Sequence, residues 1–143
     1  MPATQTIHVP AATGKTILVL DDEPNVRKLV SGILTSNGYT VLAADNGENA
    51  IKAFKQHKKP IDLLLLDVVS PGLSGPIVAD RITELQPGLR VLFMSGYDAT
   101  SVVRRYVVDK GFTLLKKPFT ADQLAKKVRE VLESAAVAAG PAD

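Results

Sequence analysis

The sequence predicts an α/β fold: a (βα)5 doubly wound arrangement with a five-stranded parallel sheet. Two observations carry this expectation. Short apolar runs alternate with amphipathic helical patterns through the middle of the chain. The runs are also continuous rather than alternating with polar residues, as in strands covered on both faces. Parallel strands joined through helices take right-handed crossovers.

The elements follow in order. TILVL (16–20) is rich in β-formers and reads as a buried strand. Pro24 suits a first helical turn. Val26, Leu29, Val30, Ile33 and Leu34 then trace one apolar helix face, stopped by Asn37 and Gly38. TVLAA (40–44) is the second strand. Asp45 and Glu48 form a capping-box pattern before a helix carrying Ala50, Ile51 and Phe54. IDLLLLDV (61–68) is the third strand, and Ser74 caps a helix with Val78, Ile82 and Leu85 facing inward. RVLFMS (90–95) is the fourth strand. A helix with Val102, Val103, Tyr106 and Val107 ends at Gly111, and FTLLK (112–116) is the fifth strand. Thr120 and Gln123 make a second capping box, with Leu124, Val128, Val131 and Leu132 on the inner face of the last helix. Residues 1–14 and 135–143 read as flexible tails around a single domain over 15–134.

Composition narrows the function. The chain has 143 residues, 45% of them hydrophobic, and a formal charge of +2. That length suits one domain with a real core. No apolar run nears the roughly 20 residues of a membrane helix, and no secretory signal is evident. The basic residues are scattered with few aromatics among them, so no nucleic-acid surface is indicated. The chain has no cysteine, which fits a reducing compartment and a cytoplasmic location. His8 and His57 lie far apart and read as solvated surface residues.

In such sheets the working site lies beyond the carboxyl ends of the strands. Asp21, Asp22 and Glu23 follow the first strand, Asp67 ends the third, Ser95 ends the fourth, and Lys116, Lys117 and Pro118 follow the fifth. Asp67 closes a run of four leucines, where an uncompensated charge is costly. Carboxylates gathered in one pocket repel one another, and a hard cation such as Mg²⁺ resolves that repulsion. A lysine and a hydroxyl beside them suit the equatorial oxygens of a phosphoryl group. Asp67 is then the natural nucleophile, forming an acyl phosphate. Taken singly, each feature also has a plainer reading: an acidic helix start, a turn-forming aspartate, a surface lysine. TGKT (13–16) resembles the end of a P-loop, but Val9 stands where the motif needs glycine, and the segment precedes a strand.

DDEP after the first strand, Asp67 followed by SPGLSG, Ser95-Gly96 after the fourth strand and KPF after the fifth stand in register. Together they resemble the receiver domain of two-component response regulators, a flavodoxin-like fold, over roughly residues 15–133. The phrasing is especially similar to receivers of hybrid sensor histidine kinases. The resemblance implies Asp67 as the phosphorylation site. It implies Asp22, Asp67 and the Val69 backbone carbonyl as Mg²⁺ ligands, with Asp21 acting through water. Ser95 and Lys117 would contact the phosphoryl group, and a cis Lys117-Pro118 bond would aim the lysine inward. The implied partners are a sensor histidine kinase or phosphotransfer protein upstream and a protein partner downstream. The face of the fourth helix, fifth strand and last helix, with Val103, Arg104, Arg105 and Lys126, is the candidate for signalling and for a homodimer contact. Leu114 stands where such receivers usually carry an aromatic, Phe112 lies two residues earlier, and Ser70 replaces a common methionine. Val69 offers no polar side chain to position a hydrolytic water, which implies slow loss of the phosphoryl group.

Two alternatives accompany this reading. One is a receiver-like binding scaffold that takes no phosphate. The other is an Asp-nucleophile Mg²⁺ phosphohydrolase, against which stand Val69 in place of a second aspartate and the lack of a cap domain. On the leading reading the chain is no enzyme beyond its own phosphorylation and dephosphorylation. The cognate kinase and the signal are not encoded in any readable motif.

Overall fold

A computed structural model describes residues 13–96, 105 and 107–134. Strands β1 (Thr16–Leu20), β2 (Thr40–Ala44), β3 (Leu63–Asp67), β4 (Arg90–Ser95) and β5 (Thr113–Lys116) form one parallel sheet in the order β2-β1-β3-β4-β5. The connecting helices are α1 (Pro24–Ser36), α2 (Gly47–Gln56), α3 (Gly75–Leu85), α4, described as helical at 105 and 107–109, and α5 (Ala121–Glu133). The order reverses direction between β1 and β3, which opens a crevice above their carboxyl ends.

All five positions of β1 and of β3 are buried. Leu18, Leu20, Leu64, Leu66 and Phe93 pack with Ala50, Val78 and Ile82 on the face covered by α2 and α3. Ile17, Val19, Leu63, Leu65, Leu92 and Met94 meet Val30 and Leu34 of α1 and Leu124 and Val128 of α5 on the other. The period of two along each strand therefore feeds two apolar layers at once. Among the described residues no helix is long and apolar enough to cross a membrane.

Several local details differ from the sequence expectations. The N-cap of α2 is Asn46, whose side chain accepts from the Asn49 amide at 2.8 Å. Asp45 instead accepts from the Asn49 side-chain amide at 2.8 Å, one residue outside the cap. Ser74 holds the N-cap place of α3 but its hydroxyl makes no capping bond. The Thr120–Gln123 capping box is present. β3 starts at Leu63, because the Asp62 carboxylate turns back to accept from the Thr16 amide at 2.7 Å. β5 starts at Thr113, because the Phe112 amide is taken by the Val107 carbonyl at 3.1 Å. Gly111, at φ 82°, makes that turn possible.

Leu29 and Leu85 were expected inward but are 57% and 55% exposed. They lie at the margins of apolar stripes wider than the contact each helix makes. β2 is an edge strand, and Thr40 and Ala43 face solvent. His57 is not a solvated surface residue: it is half-buried, and its Nε2 is shielded with no hydrogen-bond partner among the described residues. His8, Val102, Val103, Arg104, Tyr106 and nearly all of both predicted tails lie outside the described residues.

Candidate functional site

Strand register brings the site together. Leu20 of β1 is level with Leu66 of β3, so Asp21 and Asp67 leave neighbouring strands side by side. Asp67 is level with Met94, which puts Ser95 one step beyond it on β4. Ser95 is level with Lys116, and the Lys117 amide donates to the Ser95 carbonyl at 2.8 Å. Asp21, Asp22, Asp67, Ser95 and Lys117 thus gather at the carboxyl ends of four adjacent strands, β1, β3, β4 and β5.

Lys117 is the hub. Its Nζ donates to Asp21 Oδ2 at 2.8 Å and to Asp67 Oδ2 at 3.2 Å. The peptide between Lys117 and Pro118 is cis, as expected. Asp21 is fully buried, and its Oδ1 also accepts from the Glu23 amide at 2.9 Å. Asp67 is 7% exposed, and its Oδ1 accepts from the Val69 amide at 3.2 Å. Asp22 is exposed at the rim. Carboxylate oxygens of Asp21, Asp22 and Asp67 all lie within 4.8 Å of one another. Ser95 is buried, with its hydroxyl 3.4 Å from the Gly96 carbonyl, a long contact that leaves it free to rotate.

The electrostatics follow from burial. Asp67 is pushed up to about 6, first by desolvation; the Lys117 charge opposes this and the Asp21 charge adds to it. Burial works against the Lys117 charge, yet the hydrogen bond to Asp21 and the fields of Asp67 and Asp21 outweigh it and raise its pKa. Three carboxyl groups thus gather around one ammonium. That is an excess of negative charge, in a donor set of hard oxygens that fits a divalent cation such as Mg²⁺.

Close packing fixes the acceptor loop. A Cβ on Gly75 would collide with the Asp67 carbonyl, and one on Gly47 would come within 2.7 Å of Leu73. Helix α3 therefore starts directly against the backbone of Asp67. The Ser70 hydroxyl donates to the Leu73 carbonyl at 2.8 Å and closes the loop between them. Phe112 stacks edge-on to Phe93, with ring centroids 5.4 Å apart, and both Phe112 and Leu114 pack on the α2–α3 core layer.

Arg27 was absent from the sequence reading, and Gly75 stood there only as the end of SPGLSG; both belong here. Arg27 donates from Nη1 to the main-chain carbonyl of Asp21 at 2.8 Å. Gly75 supplies the clearance just described. The signal for Arg27 was its place one turn into the helix that DDEP opens, which turns its side chain back toward that loop.

Comparison with known proteins shows the family to which the chain belongs. The chain matches the response regulator receiver domain over residues 17–129 and belongs to that family. It is 35% identical over 118 residues to the sensor kinase CckA of Brucella abortus, covering 82% of this chain but 12% of that kinase. It is 31% identical to the response regulator receiver protein CpdR of the same organism, covering 85% of this chain and 99% of that one. The crystal structure of the receiver domain of NtrX from Brucella abortus superposes with a TM-score of 0.73 at 31% identity, covering 83% of this chain and 99% of that one. The chain is thus a receiver domain of two-component response regulators, a signalling domain.

Proposed function

We propose that the domain, spanning 15–134, accepts a phosphoryl group on Asp67 from the phosphohistidine of a histidine kinase or phosphotransfer protein in the cytoplasm. One observation carries this above the rest: Lys117 bridges Asp21 and Asp67 while Asp22 stands within reach of both. An Asp67 oxygen attacks phosphorus, the P–N bond breaks, and its electron pair returns to the imidazole. Asp67 is ionised at neutral pH and so is ready as nucleophile. The Lys117 ammonium neutralises charge building on the phosphoryl oxygens, and the Ser95 hydroxyl turns from Gly96 to donate to one of them.

Asp22, Asp67 and the Val69 carbonyl would hold Mg²⁺ directly. Both Asp21 oxygens already have partners, which favours its acting through water. The cation would supply positive charge against the oxygens of the phosphoryl group. The state of Asp67 is then read by a protein partner through the face of α4, β5 and α5, which also serves as the homodimer contact. Slow phosphoryl loss is favoured by Val69, an apolar side chain 37% exposed at the mouth.

The test is intact mass after incubation with Mg²⁺ and acetyl phosphate. One added phosphoryl group, lost in Asp67→Asn and in excess EDTA, is the expected result. No adduct in a protein that still binds Mg²⁺ would sink the phosphoacceptor reading and leave a binding scaffold. Steady phosphate release from a phosphoester would instead point to a hydrolase.

A further inference from the structure

Every polar atom of the buried Asp21 is occupied. Its amide donates to the Ala44 carbonyl at 3.2 Å, its carboxylate takes Glu23 and Lys117, and its carbonyl takes Arg27. Three of these partners come from the core of the site or from the backbone. The fourth is a single side chain reaching in from α1. Arg27 is itself anchored, since its amide donates to the Glu23 carbonyl at 2.9 Å in the first helical turn. Arg27 also lines a shallow surface pocket together with Asp45. That carboxyl is held below its ordinary value first by Asn49, then by its own backbone amide, with the Arg27 charge adding to the effect.

The carbonyl that Arg27 holds belongs to the peptide joining Asp21 to Asp22. A peptide unit is planar, so turning that carbonyl turns the Asp22 amide with it and re-aims the Asp22 side chain. Without the guanidinium, a carbonyl next to three carboxylates has every reason to rotate toward water.

We propose that Arg27 is a positioning residue for the acidic pocket: by clamping the Asp21 carbonyl it locks the 21–22 peptide and aims Asp22 at the space shared with Asp67. This rests on the reading of that space as a divalent-cation site. It also makes a prediction whose sign opposes simple electrostatics. Arg27 is a positive charge near the pocket, so its loss should tighten cation binding if charge alone mattered. A positioning role requires the reverse.

The experiment is a Mg²⁺ titration of the full chain followed by amide NMR, on wild type, Arg27→Lys and Arg27→Gln. In Arg27→Gln, Mg²⁺ binding is expected to weaken roughly tenfold, the size of a lost hydrogen bond from a charged donor. Arg27→Lys should fall between the two. In EDTA, the Glu23 amide proton should exchange at least about tenfold faster in Arg27→Gln, because the loop that protects it has loosened. Equal or tighter binding in Arg27→Gln overturns the proposal, as does weaker binding with an unchanged Glu23 amide. If Arg27→Gln fails to fold, Arg27→Lys decides: weaker binding supports the proposal and unchanged binding overturns it. A wild type that binds no Mg²⁺ removes the cation-site reading and this inference together. A wild type that binds, with Arg27→Gln unaffected, removes this inference alone.

Discussion

Lys117 Nζ lies 3.2 Å from Asp67 Oδ2, closing the distance between the end of β3 and the turn after β5, 50 residues further along the chain. The same ammonium is 2.8 Å from Asp21, so one cation is shared between two carboxylates that burial would otherwise penalise. The resting state of the pocket therefore depends on the same group that the proposed chemistry would use.

Lys117→Met should lower stability in EDTA by about 1–3 kcal/mol, since it leaves buried carboxylates uncompensated at a partly exposed site. Mg²⁺ should restore more stability to this variant than to wild type, because the cation takes over the missing charge. Urea denaturation with and without Mg²⁺ measures both. Equal Mg²⁺ stabilisation of the two proteins would contradict the account.

Asp67 has a raised pKa, so in the metal-free protein the folded state holds its proton where the unfolded state has lost it. The folded chain binds more protons between the ordinary value of 3.8 and about 6, and stability from this group falls as pH rises through that window. Above about 6 the loss is complete. Asp67→Asn removes the penalty and should be the more stable protein at pH 7.5 in EDTA, by about 1–3 kcal/mol. Below pH 4 the two should converge. Denaturation at pH 3.8, 5 and 7.5 reads the difference, and a gap that shrinks with rising pH would reverse the assignment.

Gly75→Ala should destabilise by about 1–3 kcal/mol, because its Cβ meets the Asp67 carbonyl and α3 must shift. It should also slow adduct formation, since the shift passes directly to Asp67. Gly32→Ala is the control. Nothing lies within 4 Å of its Cβ on an exposed turn of α1, and it should stabilise by about 0.5–1 kcal/mol. Two thermal melts compare them.

Thr120→Ala should cost about 1 kcal/mol by opening the capping box of α5. Ser74→Ala should cost under about 0.5 kcal/mol, because the Ser74 hydroxyl makes no capping bond. Equal losses in a denaturant titration would mean that the two caps are alike, against the geometry.

Much of this protein was legible in one dimension. Strands buried on both faces read as unbroken apolar runs, and TILVL, LLLLD and RVLFMS stood out for that reason. Asp67 stood out because a carboxylate ends such a run, and the order of DDEP, Asp67, Ser95 and Lys117 placed each at a strand end. What sequence could not decide depended on side chains meeting across the fold. Asp45 and Asn46 are both good capping residues, and only the backbone angle at Asn46 chose between them. The outward turn of Leu29 and Leu85 depended on how far each helix face was covered. Strand register set the distances from Lys117 to Asp21 and Asp67, while burial between packed layers, only partly opposed by Lys117, raised the pKa of Asp67. The grip of Arg27 on the Asp21 carbonyl belongs to the same class, since it involves a backbone atom that is identical in every residue. Local pattern determines which residues form strands and end them with charge. Tertiary packing alone decides which of those charges touch, because Coulomb and desolvation energies depend on distances and burial that no linear spacing contains.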